Sequence, residues 1–255
     1  MLTHCRFRLP LQVMAPSELA DGTTCVMLLN PTGGLVGGDV LRTSILQDSD
    51  THLCLTTPSA TRVYRTTDAP AVQETWIRVG ERACLEYLPD HVIPHRDSRL
   101  RQTLRVELGS GCRAIVYDAL AAGRVAHGER WKFRDFDSRM EVFLDGRPVF
   151  LNRTKIQPAS QNPEQFGLAE ELNYWATFLV VSDDSEASAT LSASMNEAIR
   201  AQPEVCGGTS LLGMGGCVAK LLAPSAPALS RAQTELWMLA RQIVLRSGAV
   251  DLRKY

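Results

Sequence analysis

The first two-thirds of the chain alternate apolar and polar residues in short runs separated by turn residues. This period-two pattern, rich in β-branched and aromatic side chains, predicts strands at 25–29, 40–46, 52–57, 71–79, 83–88, 99–107, 112–118, 129–136, 139–144 and 148–156. The plainest hairpin joins Met140–Leu144 to Pro148–Asn152 through Asp145-Gly146, a pair that suits the backbone twist of a tight turn. Beyond Gln157 the pattern changes. Pro158 to Pro163 reads as a loop and Tyr174 to Val181 as an apolar strand. Glu186 to Ala201 has helical spacing through Ala189, Leu191, Met195 and Ile199. Gly207-Gly208 and Gly213 to Gly216 are expected to break the next stretch into short strands ending at Val218–Leu222. Ser230 caps an amphipathic helix running to Leu245, Gly248 ends it, and the tail from Val250 to Tyr255 is expected to be exposed. No linker separates these parts, so residues 1–255 read as a single domain.

Three segments resemble one another. Ser44–Thr57, Trp76–Leu88 and Leu104–Asp118 each run strand, polar turn, strand, and aligned on their cysteines they recur about every 30 residues, a spacing typical of stacked repeats. The fold class expected is therefore mostly β, a stacked, β-helix-like sheet arrangement with helices near the carboxyl end. Such a stack places Thr57–Thr61, Pro89–His95 and Asp118–Gly123 side by side along one edge.

Composition narrows the function. A formal net charge of −1 gives no bulk attraction to nucleic acid or anionic lipid. Lysine is scarce (Lys132, Lys155, Lys220 and Lys254), so most of the 27 basic residues are arginines, which favour forked interface contacts. Seven cysteines, an odd number without a Cys-x-x-Cys, sit mostly within apolar runs, as reduced core thiols do. With no export segment and no apolar run approaching a membrane span, the expected location is the cytoplasm.

The most unusual stretch is Leu28 to Asp39, a loop carrying Gly33, Gly34, Gly37 and Gly38 around an apolar plug of Leu35 and Val36. A phosphate loop would place Lys-Ser/Thr after its last glycine; Asp39 stands there instead and would repel an anion. No nucleophile elbow and no spaced carboxylate pair appears. His91 and His95 are the one histidine pair close enough to share an ion, a candidate weak site for nickel or zinc if Cys206 or Cys217 lies nearby. Pro94 between them denies the helical ligand geometry. Asp39, Asp118 and Glu129 stand out as carboxylates. Asp118 is taken as the end of the run Ala114–Tyr117, where it either caps backbone N–H groups or serves a function; Arg62, Tyr64 and Arg65 could pair these acids or face a partner.

Four stretches read together resemble a known family. They are Asn-Pro-Thr-Gly-Gly-Leu-Val-Gly-Gly-Asp (30–39), Leu-Thr-Thr-Pro-Ser-Ala-Thr-Arg-Val-Tyr-Arg (55–65), Leu-Glu-Tyr-Leu-Pro-Asp-His-Val-Ile-Pro (85–94) and Tyr-Asp-Ala-Leu-Ala-Ala-Gly-Arg-Val-Ala-His-Gly-Glu (117–129). In this order they resemble the UreD, or UreH, urease accessory proteins over roughly residues 10 to 245. The resemblance implies a non-enzymatic maturation factor, a chaperone for nickel insertion. Its implied partners are UreF, the GTPase UreG and the urease apoprotein, with no nucleic acid and no membrane. It also implies no tightly bound cofactor, only a transient nickel ion. Matched residue by residue, Asp39, Thr61, Asp118 and Glu129 fall near a nickel passage. Gly33, Gly34, Gly37, Gly38, Tyr64, Arg65, Gly123 and Arg124 fall in partner or structural loops. Two departures are expected: an amino-terminal segment shorter than the family's, and His95 in place of an aromatic residue. Two other readings remain, a structural scaffold without a metal path and a hydrolase using Asp118 or Glu129.

Overall fold

A computed structural model describes residues 2–252. Its body is a β-solenoid-like stack of two facing sheets. In one, Val40–Gln47, Ala71–Val79, Arg99–Leu108 and Asp135–Leu144 lie parallel, and Arg147–Ile156 closes the edge antiparallel. In the other, Thr24–Leu29, His52–Thr56, Cys84–Leu88 and Arg113–Ala121 stack parallel. Tyr174–Val181, Cys217–Ala223 and Cys206–Leu211 extend that sheet antiparallel.

The repeat is real, but the cysteines do not mark it. Cys25 lies beside Cys54, yet Cys54 lies beside Glu86, and Cys84 lies beside His52 and Arg113. What recurs is the turn between the sheets. Asp50 and Arg82 take left-handed backbone at φ 57° and 55°, and Gly111 does so at 68°. The turns stack through Asp50 N–H to Glu81 O (3.0 Å) and Arg82 N–H to Ser110 O (2.9 Å). The Arg82 guanidinium grips the Asp50 carboxylate from the next turn.

The expected hairpin is present, with Asp145 and Gly146 both at positive φ. The strands expected at 129–136 and 139–144 are instead one strand, Asp135–Leu144. The residues before it leave the extended region because Trp131 sits at φ 53° and donates its N–H to Ala122 O. Two helices cover the outer face of the Arg113–Ala121 sheet. Helix α1 (Ser185–Arg200) is capped by Asp184, and helix α2 (Ala226–Ala240) by Ser225, a turn earlier than Ser230. Pro227 fits there because the first helical turn needs no N–H donor. A π-turn at Arg241–Leu245 follows, and Arg246 at φ 54° ends it ahead of Gly248. Gly207-Gly208 do not break a strand: Cys206–Leu211 runs through them, and a Cβ on Gly207 would stand 2.4 Å from Lys220 O. Val250 is buried among the helices rather than exposed; residues 253–255 lie outside the described residues.

Three apolar clusters result. One lies between the helices and the sheet, with Ile115, Tyr117 and Phe178 meeting Leu191, Leu236 and Trp237. The other two lie between the sheets at opposite ends, one around Val106, Val116 and Met140, the other around Leu35, Leu100, Phe136 and Trp131.

Candidate functional site: a polar seam between two cores

Strand alternation explains why the inter-sheet core is divided. Arg99–Leu108 points Leu100, Leu104, Val106 and Leu108 inward, but Gln102 interrupts them. The register puts Gln102 level with Gln73 on one side and Ser138, then Thr154, on the other. One step along, Thr43 lies level with Thr75. A row of amides and hydroxyls thus crosses the sheet between the two apolar clusters. The facing wall supplies Asp118, Thr177 and Lys220, also level with one another on adjacent strands.

Asp118 is the carboxylate of this seam. It lies within the Arg113–Ala121 strand, not at its end, since the run continues through Ala119, Leu120 and Ala121. Gln102 Nε2 donates to Oδ1 at 2.8 Å and Ser138 Oγ to Oδ2 at 3.3 Å. Burial pushes its carboxyl above the usual range, against the pull of Gln102, Ser138 and the Lys220 charge. Burial likewise pushes the Lys220 ammonium down, with Asp118 opposing. Lys220 Nζ donates to Thr177 Oγ1 (2.7 Å) and Asn152 Oδ1 (3.0 Å).

Asp118 lines two cavities. The larger has room of about 100 Å³ for water, enough for several molecules. Thr61, Asp90, Tyr87, Thr43, Gln73 and Gln102 are among its walls, and Asn30, Gly33, Gly34 and Leu35 form its end at the glycine loop. Gln73 Oε1 is buried there without a protein partner. The smaller, about 10 Å³, lies beyond Asp118 against Thr154 and Thr177.

The expected edge neighbours do meet. Asp90 N–H donates to Thr57 Oγ1 (2.9 Å), Thr61 N–H to His91 O (3.0 Å), and Val92 is level with Thr61 and Leu120. The glycine loop joins them, so all four motifs share one end of the stack. Gly34–Leu35 pairs with Arg62–Val63, and a Cβ on Gly34 would lie 2.5 Å from Arg62 O and 2.8 Å from the Tyr64 ring. Gly33 and Gly38 have positive φ; Gly37 is instead pressed against Thr66 and Ala69. Only half of the anticipated plug is one: Leu35 is fully buried, Val36 exposed.

The four carboxylate and hydroxyl residues separate into two pairs. Asp118 and Thr61 line the larger cavity. Asp39 stays outside both cavities and closes the glycine turn, its Oδ2 accepting from Val36 N–H at 2.9 Å. Glu129 is also outside them, gripped by Arg124 (Nε to Oε2 2.9 Å, Nη2 to Oε1 2.6 Å) and by Arg96 N–H. Those hydrogen bonds from Arg124 hold its carboxyl down at about 2. Gly123 at φ 126° brings its backbone against Glu129 O, where a Cβ would stand 2.2 Å away. Arg65 is exposed, 3.8 Å from Asp97. His91 packs edge-on to Tyr174 and His95 edge-on to Tyr64. Burial lowers both imidazoles' proton affinity. Among the described residues no three His, Cys, Asp or Glu side chains come together to hold an ion.

The seam went unread in the sequence although its signal was there. Gln73, Thr75, Gln102 and Ser138 each stand at an inward position of an otherwise apolar alternation. A second missed group joins the helices to the sheet. The fully buried Glu86 accepts from His52 Nε2 (2.7 Å), Trp237 Nε1 and Arg241, while Arg241 also reaches Asp21 and donates Nε to Gly248 O (2.9 Å).

A profile described as UreD urease accessory protein matches residues 1–254. Proteins named urease accessory protein UreD are among the relatives. That of Mycolicibacterium gilvum is 35% identical over 244 residues, covering 94% of this chain and 88% of its own. That of Herpetosiphon aurantiacus is 34% identical over 250 residues (94% and 86%), and that of Deinococcus radiodurans 34% over 247 (96% and 86%).

Proposed function

The chain belongs to the UreD urease accessory protein family, and from that premise we propose that it matures urease as a non-catalytic chaperone in the cytoplasm, joining a UreF-type protein and the GTPase UreG to the urease apoprotein and passing nickel through its polar seam. The observation that carries this reading is Asp118, a carboxylate placed between two apolar cores and at the junction of two cavities. A buried carboxylate is costly, and at a purely structural position a small apolar residue would pack without that cost.

The chemistry suits transit. A divalent cation needs to be attracted without being held. Oxygen ligands from one carboxylate, amides and hydroxyls bind nickel weakly, whereas a cysteine–histidine cluster would bind it tightly. Asp118 and Thr61, both on the larger cavity, are the residues assigned to this path. Asp39 instead holds the glycine loop that forms its end, and Glu129 holds the Arg124 loop outside it. A hydrolase reading has less support: Asp118 contacts neutral Gln102 and Ser138, and Glu129 is neutralised by Arg124, so neither forms a nucleophile–base pair.

The test is co-expression of the chain with UreF, UreG and apo-urease, followed by affinity capture and a urease assay. The reading expects one recoverable assembly and active urease only when the chain is present. Activation without it, or no association with any of the three, would refute the reading. An assembly that forms fully while Asp118 variants deliver nickel normally would favour a scaffold without a metal path.

A further inference from the structure

Lys220 is harder to explain than Asp118. It projects from the Cys217–Ala223 strand into the space between the sheets, and its two hydrogen-bond partners, Thr177 and Asn152, are both neutral. The ammonium lies over the Phe150 ring, with Nζ 5.8 Å from the centroid. A half-buried ammonium whose hydrogen bonds go only to neutral oxygens is offset only from a distance, by the Asp118 charge, and an apolar side chain of the same volume would serve packing as well or better. The charge has one feature of the seam to act on. Asp118, Thr177 and Lys220 are level on three adjacent strands and face the same interior. At about 4.8 Å per strand, the backbones bearing Asp118 and Lys220 are roughly 10 Å apart.

We propose that Lys220 is a positioning residue that keeps the transit point at Asp118 from becoming a trap, its ammonium offsetting part of the carboxylate's pull so that a divalent cation drawn into the larger cavity is released again. The same charge bars the space beyond Asp118, toward Thr154 and Thr177, to a cation. This inference rests on the transit reading above.

Nickel(II) affinity of the full chain, measured by competition with a chromophoric chelator, tests it. Lys220→Gln keeps hydrogen bonding to Thr177 and Asn152, Lys220→Met keeps volume against Phe150, and Lys220→Arg keeps the charge. Removing a unit charge roughly 10 Å from a divalent ion should tighten binding about fourfold at the dielectric of water, and more than about tenfold at the lower effective dielectric of a protein interior. Lys220→Arg should bind as the wild type does. Urease matured with the Gln or Met variant should carry less nickel, because the ion is retained. Unchanged or weaker binding in folded Gln and Met variants would overturn the inference. So would a failure of both to fold while Lys220→Arg folds, since that would make Lys220 a structural requirement. Asp118→Asn separates the two levels. If it binds and delivers nickel as the wild type does, the transit reading itself fails. If it loses both while the Lys220 variants change nothing, only the role of Lys220 falls.

Discussion

Glu86→Gln removes the charge at the point where helix α2 and the π-turn are fastened to the stacked sheet. Three donors converge on that carboxylate: His52 Nε2, Trp237 Nε1 and the Arg241 guanidinium. Glutamine offers one acceptor oxygen and an NH2 group, so at least one donor is left facing a donor. Arg241 is fully buried, and its remaining carboxylate partner is Asp21, near the amino end of the sheet. Removing one partner of a buried ion pair costs about 3–5 kcal/mol, mostly because the other charge stays buried. For a chain of this length that corresponds to a fall in Tm of roughly 6–20 °C. Urea unfolding followed by tryptophan fluorescence reads it directly, since Trp237 lies in the cluster. Glu81→Gln is the control: Glu81 and Arg82 pair with side chains 64% and 60% exposed, so its loss should stay within about 0.5 kcal/mol. A loss below about 1 kcal/mol for Glu86→Gln would refute the claim that this cluster fastens the helices.

Gly34→Ala should abolish soluble expression, because its Cβ would meet the Arg62 carbonyl at 2.5 Å, whereas Gly38→Ala, with nothing within 4 Å but φ at +86°, should cost only about 1 kcal/mol; equal yields would show the loop is not pinned. Gly37→Val should also lose soluble yield or partner binding, since even its Cβ would press on Ala69 O at 3.0 Å and on Thr66, and wild-type behaviour would make this stretch a passive connector. The Glu129 carboxyl lies below its ordinary 4.5, at about 2, so its contribution to stability is present above pH 4.5 and is lost as pH falls toward 2. Glu129→Gln should therefore flatten the acid limb of the stability profile between those values, and an unchanged limb would contradict the Arg124 clamp. Expressed alone, the chain should aggregate through exposed Leu46, Trp76 and Phe166, and UreF co-expression should raise its soluble yield; a monodisperse monomer indifferent to UreF would contradict this.

The β class, the hairpin at Asp145-Gly146 and helix α1 were legible because each rests on local pattern. The stacking was legible in outline, but its register was not. The cysteines at 54 and 84 mislead because they face the same side of the sheet two positions out of register, while the true marker is the left-handed turn at Asp50, Arg82 and Gly111. Helix α2 begins ahead of the expected Ser230 cap because Ser225 caps it and Pro227 is tolerated in its first turn. Of the residues at the seam and its cavity, the sequence singles out Asp118 and Thr61 but not Lys220, Gln73 or Gln102. Their importance arises from facing strands far apart in the chain, and no local motif connects them. Asp39 and Glu129 looked equivalent to Asp118 in sequence. Only their partners, a backbone N–H in one case and Arg124 in the other, separate a loop clamp from a cavity wall.

If Asp118 lends its charge to a passing nickel ion, urease-bound nickel per active site reads that contribution without an intervening step. Apo-urease is activated with purified complexes containing either wild-type chain or Asp118→Asn, with complex stoichiometry measured in parallel. Asparagine keeps the volume, and its oxygen and NH2 can satisfy Gln102 and the rotatable Ser138 hydroxyl, so the complex should assemble unchanged. With the variant, nickel content should fall and activity should fall in proportion. Full nickel loading by Asp118→Asn would contradict it, and loss of the complex would reassign Asp118 to folding or assembly.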